Sequence, residues 1–142
     1  MAKKKVFVSF DYDNDRNYKY LLEAWDANPN FEFNFSDKSA HEINSENVGR
    51  VKAGLATKIN ESTALLVIIG REANKRHQDY ELIGDTNWIN WEINKAKELK
   101  KCLVAVKIDK NYEPPLSILN SNANWAMSFT QEAVINALSK CK

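Results

Sequence analysis

The chain predicts an α/β fold, a parallel sheet wound with helices on both faces, and three observations carry that expectation. Apolar runs of strand length alternate with segments of helical periodicity from one end to the other. Three of those runs, Lys5–Phe10, Ala64–Ile69 and Cys102–Ile108, are apolar almost throughout, as strands covered on both faces must be. A further run, Phe31–Phe35, instead alternates aromatic with polar residues, which suits a half-exposed strand near a sheet edge. Five strands joined by right-handed crossovers then take the order 2-1-3-4-5 along the sheet.

The first strand, Lys5–Phe10, is followed by a helix on which Tyr18, Leu21, Leu22 and Trp25 recur at helical spacing, with Asn14 or Asp15 as its cap. Asn28-Pro29-Asn30 ends that helix, and the aromatic second strand follows. Beyond a polar loop, Ser36–Asn44, Ser45 is placed to cap a second helix whose inward residues are Val48, Val51, Leu55 and Ile59. The third strand, Ala64–Ile69, leads through Gly70 into a long polar segment, Arg71–Asn87, a candidate functional loop. A third helix, Trp88–Lys101, turns Ile89, Ile93, Ala96 and Leu99 to the core and delivers the chain to the fourth strand. Pro114-Pro115 keeps the next stretch irregular, after which Asn124–Ser128 and Thr130–Lys140 read as a short fifth strand and a last helix.

At 142 residues the chain matches one domain, and 44% hydrophobic residues with only four Gly and three Pro exclude a disordered or low-complexity chain. Twenty Lys and Arg against nineteen Asp and Glu leave a net charge of +1, without the basic excess of a nucleic-acid binder. The longest apolar run falls far short of the roughly 20 residues of a membrane span, and Met-Ala-Lys-Lys-Lys offers no apolar leader. No membrane partner and a cytoplasmic location are expected. Cys102 and Cys141 have no metal-ligand spacing and are expected as reduced thiols.

In an open doubly wound sheet the ligand crevice lies beyond the carboxyl ends of the first and third strands. Ser9, Phe10, Asp11 and Asp13 leave the first of these; Gly70 and Arg71 leave the other. The four glycines form neither a P-loop nor a dinucleotide fingerprint, and the acids after the first strand would repel a flavin phosphate. A phosphoacceptor receiver would need an aspartate where Ile69-Gly70-Arg71 stands. Asp11-x-Asp13-x-Asp15 imitates the start of a calcium loop, but Arg16 and Leu22 occupy the positions of its Gly and bidentate Glu. Asp15 as a plain helix cap is the simpler reading. His41 and His77 lack partners at zinc spacing and read as exposed loop residues, so no metal site is expected. Arg71, Lys75, Arg76 and His77 read as a solvated basic loop, the alternative being contacts to a pyrophosphate.

The third helix poses the sharper problem. In Trp88-Ile-Asn-Trp91-Glu92-Ile93, a 100° advance per residue puts Glu92 on the apolar stripe and Trp91 opposite it. An unpaired buried carboxylate costs several kcal/mol. Glu92 must therefore pair with a cation such as Lys95, reach solvent along its stem, or project into the crevice, the reading favoured here.

With Val-Phe-Val-Ser-Phe10 and its downstream acids, the strand ending at Gly70, and Trp88-x-x-Trp91-Glu92-Ile93-x-x-Ala96, the chain resembles the TIR-like domain of Thoeris antiphage proteins of the ThsB type over about residues 5–140. The resemblance implies a flavodoxin-like, TIR-like three-layer fold and an enzyme that cleaves the nicotinamide glycosidic bond of NAD. NAD is then substrate, and no cofactor is implied. The product would be a cyclic or conjugated ADP-ribose signal read by a downstream effector protein. Glu92 matches the family's catalytic glutamate, and Ser9, Phe10 and Asp11 are the implied substrate contacts. Self-association through TIR-like contacts is implied as well, with Trp91 at a domain contact or crevice rim and with low turnover until a trigger arrives. The alternative is a catalytically silent TIR-like interaction module.

Overall fold

The computed structural model describes residues 3–35 and 47–141. Five strands, β1 (Lys4–Ser9), β2 (Phe33–Asn34), β3 (Ala64–Ile69), β4 (Cys102–Lys107) and β5 (Asn124–Ala126), form one sheet in the order β2-β1-β3-β4-β5. Every pairing is parallel. The helices are α1 (Tyr12–Asp26), α2 (Val48–Glu61), a single turn α3 (Tyr80–Ile83), α4 (Trp88–Glu98) and α5 (Gln131–Ser139).

Alternation along the central strands divides the core in two. Val6 and Val8 of β1, Leu66 and Ile68 of β3 and Val104 and Val106 of β4 pack against Leu22 of α1 and Val134 and Leu138 of α5. Their neighbours Phe7, Leu65, Val67, Ile69, Leu103 and Ala105 face Leu55 and Ile59 of α2 and Ile89 and Ile93 of α4. The sheet is thus the middle of three layers, as its apolar central runs require. Of the expected strand Phe31–Phe35 only Phe33–Asn34 pairs with β1, but the alternation holds around it, with Phe31, Phe33 and Phe35 buried and Glu32 exposed. From β1 the chain crosses to the α1 face, and from β3 to the α4 face. The crevice predicted between those strand ends follows from that divergence.

Several local expectations need correction. The α1 cap is Asp11, not Asn14 or Asp15: the helix leaves β1 almost at once, and the Asp11 carboxylate accepts from the Asp13 N–H. That start turns Asp15, Lys19 and Leu22 inward, while Leu21 is 40% exposed. Lys19 is buried at 1% exposure with its ammonium paired to the more exposed Glu23 one turn on. Asn47 caps α2; the Ser36–Asn44 loop, Ser45 and His41 lie outside the described residues. Cys102 and Cys141 are not free thiols but form a disulfide, because α5 runs back along the sheet and sets its last turn beside the start of β4.

Candidate active site

Glu92 belongs to the inward stripe of α4, with Ile89, Ile93 and Ala96, and is 3% exposed. The carboxyl end of β1 lies beneath it, and there the Ser9 hydroxyl donates to Glu92 Oε1 at 2.6 Å. Oε2 is buried and has no hydrogen-bond partner among the described residues. Burial pushes the Glu92 carboxyl up to about 8, and the Ser9 hydrogen bond only partly offsets that rise. Lys95 does not neutralise it: its ammonium bonds Glu98 at 3.0 Å and lies over the Trp91 ring at 5.6 Å. An ion pair between Glu92 and Lys95 is therefore absent, and the carboxyl belongs to the crevice.

A cleft of about 1200 Å³ opens there. Phe10, Asp11, Tyr12 and Asp13 line it from the β1–α1 corner, Val48 and Val51 from α2, and Trp88, Ile89 and Glu92 from α4. The remaining wall is the segment between β3 and α4, including Lys75, Arg76, His77 and Tyr80. Size and mixed lining suit a nucleotide-sized ligand, with aromatic faces for rings and a few polar groups for orientation.

Glu92, Phe10 and Asp11 share this cleft, and Ser9 joins them through its bond to Glu92. Phe10 also packs into the first core, with its ring 6.2 Å from that of Tyr12. Asp11 is already engaged, accepting from the Asp13 N–H and from the Asn14 amide at 2.6 Å. Trp91 does not line the cleft; it is half-buried against the second core and packs edge-on to Trp88. Trp88 is the tryptophan that faces the cleft. Sequence reasoning passed over it, although a large aromatic in the first turn of a helix entered from the crevice was the available signal. The basic loop divides: Lys75, Arg76 and His77 line the cleft, while Arg71 turns to the Tyr112 ring at 6.0 Å.

A second buried carboxyl was also missed. Asp15 is 6% exposed, packs its carboxyl against Gly70 and leaves Oδ2 without a hydrogen-bond partner among the described residues. Burial, and then the neighbouring Asp11 charge, push it up to about 6. With Asp11 as cap and Asp15 turned to the sheet, the three aspartates do not wrap a common point. Among the described residues no group of three or more His, Cys, Asp or Glu is placed to hold a metal ion.

The sequence model of the family described as Thoeris protein ThsB, TIR-like domain, matches residues 7–113. No curated protein sequence matches the chain. Among solved structures, a 2-deoxyribosyltransferase from Bacillus psychrosaccharolyticus is similar at 17% identity and a TM-score of 0.55, over 88% of this chain and 87% of that one. The corresponding enzyme from Leishmania mexicana is 12% identical with a TM-score of 0.58, over 94% and 95% of the two chains. The TIR domains of the activated Roq1 resistosome, which recognises the pathogen effector XopQ, are 17% identical at a TM-score of 0.50, over 76% of this chain and 60% of that one. At these identities the likeness is one of fold.

Proposed function

The chain belongs to the Thoeris ThsB TIR-like family, and from that premise we propose that it cleaves NAD at the nicotinamide glycosidic bond and passes the ADP-ribosyl group into a signalling nucleotide. The observation that carries the reading is the Glu92 carboxyl: buried at the floor of a nucleotide-sized cleft, held by Ser9, and paired with no cation among the described residues. A structural glutamate would gain from an ion pair or from free exposure to solvent, and at 3% exposure this one gains little from either. The 2-deoxyribosyltransferases that share the fold are named for transfer of a sugar, which is compatible with glycosyl chemistry in such a cleft.

In the proposed reaction the bond between the ribose C1′ and the nicotinamide nitrogen breaks, and its electron pair leaves with nicotinamide. Positive charge develops on the ribose, and the ionised Glu92 carboxylate stabilises it and orients the ribose hydroxyls. A nucleophile then adds at C1′ and gives up a proton: a second group of the same molecule for a cyclic product, another molecule for a conjugate, or water for free ADP-ribose. Because burial pushes the Glu92 carboxyl up to about 8, a cationic nicotinamide ribosyl group beside it would favour its ionised form. Trp88 and Phe10 offer the ring faces.

Glu92→Gln tests the assignment. Following nicotinamide and nucleotide products by mass-resolved chromatography across a protein concentration series, we expect cleavage to fall by two orders of magnitude or more, about 3 kcal/mol of transition-state stabilisation. Turnover that rises with protein concentration would support activation by self-association. Near-parental cleavage by folded Glu92→Gln protein would remove Glu92 as the catalytic residue, and no cleavage by the parent in any assembled state would leave the interaction-module reading.

A further inference from the structure

We infer that the segment between β3 and α4 is an anion-holding wall of the cleft, in which Lys75, Arg76 and His77 take the pyrophosphate of a dinucleotide whose ribosyl end lies at Glu92. The inference rests on the NAD reading and assigns the other half of the same site.

Asp11 and Asp13 line the cleft at the start of α1, and in the segment after β3 the consecutive Lys75, Arg76 and His77 line it between the acids Glu72 and Asp79. A ligand with a cationic pyridinium ribosyl group at one end and a dianionic pyrophosphate beyond it is complementary to that order. The flanking acids Glu72 and Asp79 do not quench the basic run: among the described residues neither Lys75 nor Arg76 forms an ion pair. The Arg76 guanidinium lies over the Tyr80 ring at 4.7 Å, a contact that orients its plane and leaves its N–H edge available. His77 Nδ1 accepts from the Asp79 N–H at 2.9 Å, so the proton of the neutral ring sits on Nε2, which becomes a donor.

The wall is also fixed, which a merely solvated loop would not need. Asn87, 8% exposed, donates its amide N–H groups to the Ala73 and Lys75 carbonyls at 2.9 Å each, while its Oδ1 caps α4 through the Asn90 N–H. The His77 N–H reaches the Thr86 carbonyl at 2.8 Å. Asn74 ties the other side, donating to the Pro114 carbonyl and accepting from the Leu116 N–H. The basic run and Glu92 are thereby carried by one unit, the first two turns of α4 and the strap bonded to the helix start. Such coupling sets the spacing between the two ends of a substrate before it binds.

The test uses the full chain and calorimetric titration with ADP-ribose, which carries the pyrophosphate, and nicotinamide riboside, which lacks it. For Lys75→Ala/Arg76→Ala we expect the ADP-ribose Kd to rise tenfold or more, nicotinamide riboside to stay within twofold, and the loss in NAD cleavage to fall on KM. The parent's ADP-ribose affinity should weaken with added salt and the variant's should not. No ADP-ribose binding by the parent, an unchanged Kd in the double variant, or equal weakening toward both ligands would overturn the inference. ADP-ribose binding that depends on Lys75 and Arg76, in a protein that leaves NAD intact, would uphold this wall and overturn the catalytic reading alone.

Discussion

Ionising Glu92 costs free energy because its carboxyl is out of water with one hydrogen bond, and that cost is visible as pH dependence. Its folded value, about 8 against an ordinary 4.5, means that the native state holds a proton the unfolded chain releases. Stability therefore falls as pH rises from about 4.5 and levels off above about 8. Between pH 5 and 8 this one group removes about 3 kcal/mol, and Glu92→Gln should abolish that share. Urea unfolding of both proteins at the two pH values measures it; equal slopes would show that Glu92 is not desolvated. Asp15 acts in the same sense over a lower window, from 3.8 to about 6. Catalysis runs the other way, since the ionised form is the one that stabilises a cation: kcat/KM should climb through about pH 8 and then flatten. Ser9 donates to the carboxylate and lowers its pKa, so Ser9→Ala should move that limb upward by about one pH unit. A limb that stays put would make Ser9 a bystander. Glu92 was legible in the sequence as a charged residue on an apolar stripe, and helical geometry alone placed it. Asp15 was not, because its inward direction depends on where α1 begins, and Asp11, Asn14 and Asp15 are all good caps.

Between elements, α1 and β3 meet where Gly70 leaves the sheet. A Cβ added there would overlap the Asp15 carboxyl, so Gly70 is kept small by a side chain of another element and not by its own backbone angles. Gly70→Ala should cost about 1–3 kcal/mol, and Asp15→Ala in the same chain should restore much of it. Chemical denaturation of the two single variants and the pair gives the coupling; simple additivity would mean that the two residues do not touch. The central strands and α4 were readable from the sequence because burial on one or two faces leaves a periodic trace. The strap between β3 and α4 was read as solvated since its order comes from side-chain amides, Asn74 and Asn87, bonding backbone far along the chain. Such bonds have no period.

For the molecule as a whole, the order β2-β1-β3-β4-β5 was inferable from which strands are apolar throughout, since only central strands are buried on both faces. The covalent tie across it was not, because a separation of 39 residues says nothing of proximity until α5 is known to return along β4 and β5. Cys102 opens β4, Cys141 follows α5, and the Asn124 amide at the start of β5 lies 3.5 and 3.8 Å from the two sulfurs. The bridge thus closes the last third of the fold, β4 to α5, and withdraws the thiol argument for a reducing compartment. Trp91, expected fully turned to solvent, is half-buried against the second core and keeps part of its ring exposed. Closing a loop of this length restricts the unfolded chain and contributes about 4 kcal/mol. Glu92 and Ser9 lie on α4 and β1, outside the closed segment. Cys102→Ser/Cys141→Ser should therefore lower Tm by roughly 10 °C while the folded variant keeps ADP-ribose affinity. Thiol titration of the denatured parent without reductant should find no reactive sulfur. An unchanged Tm with two titratable thiols would show that the bridge does not form in solution.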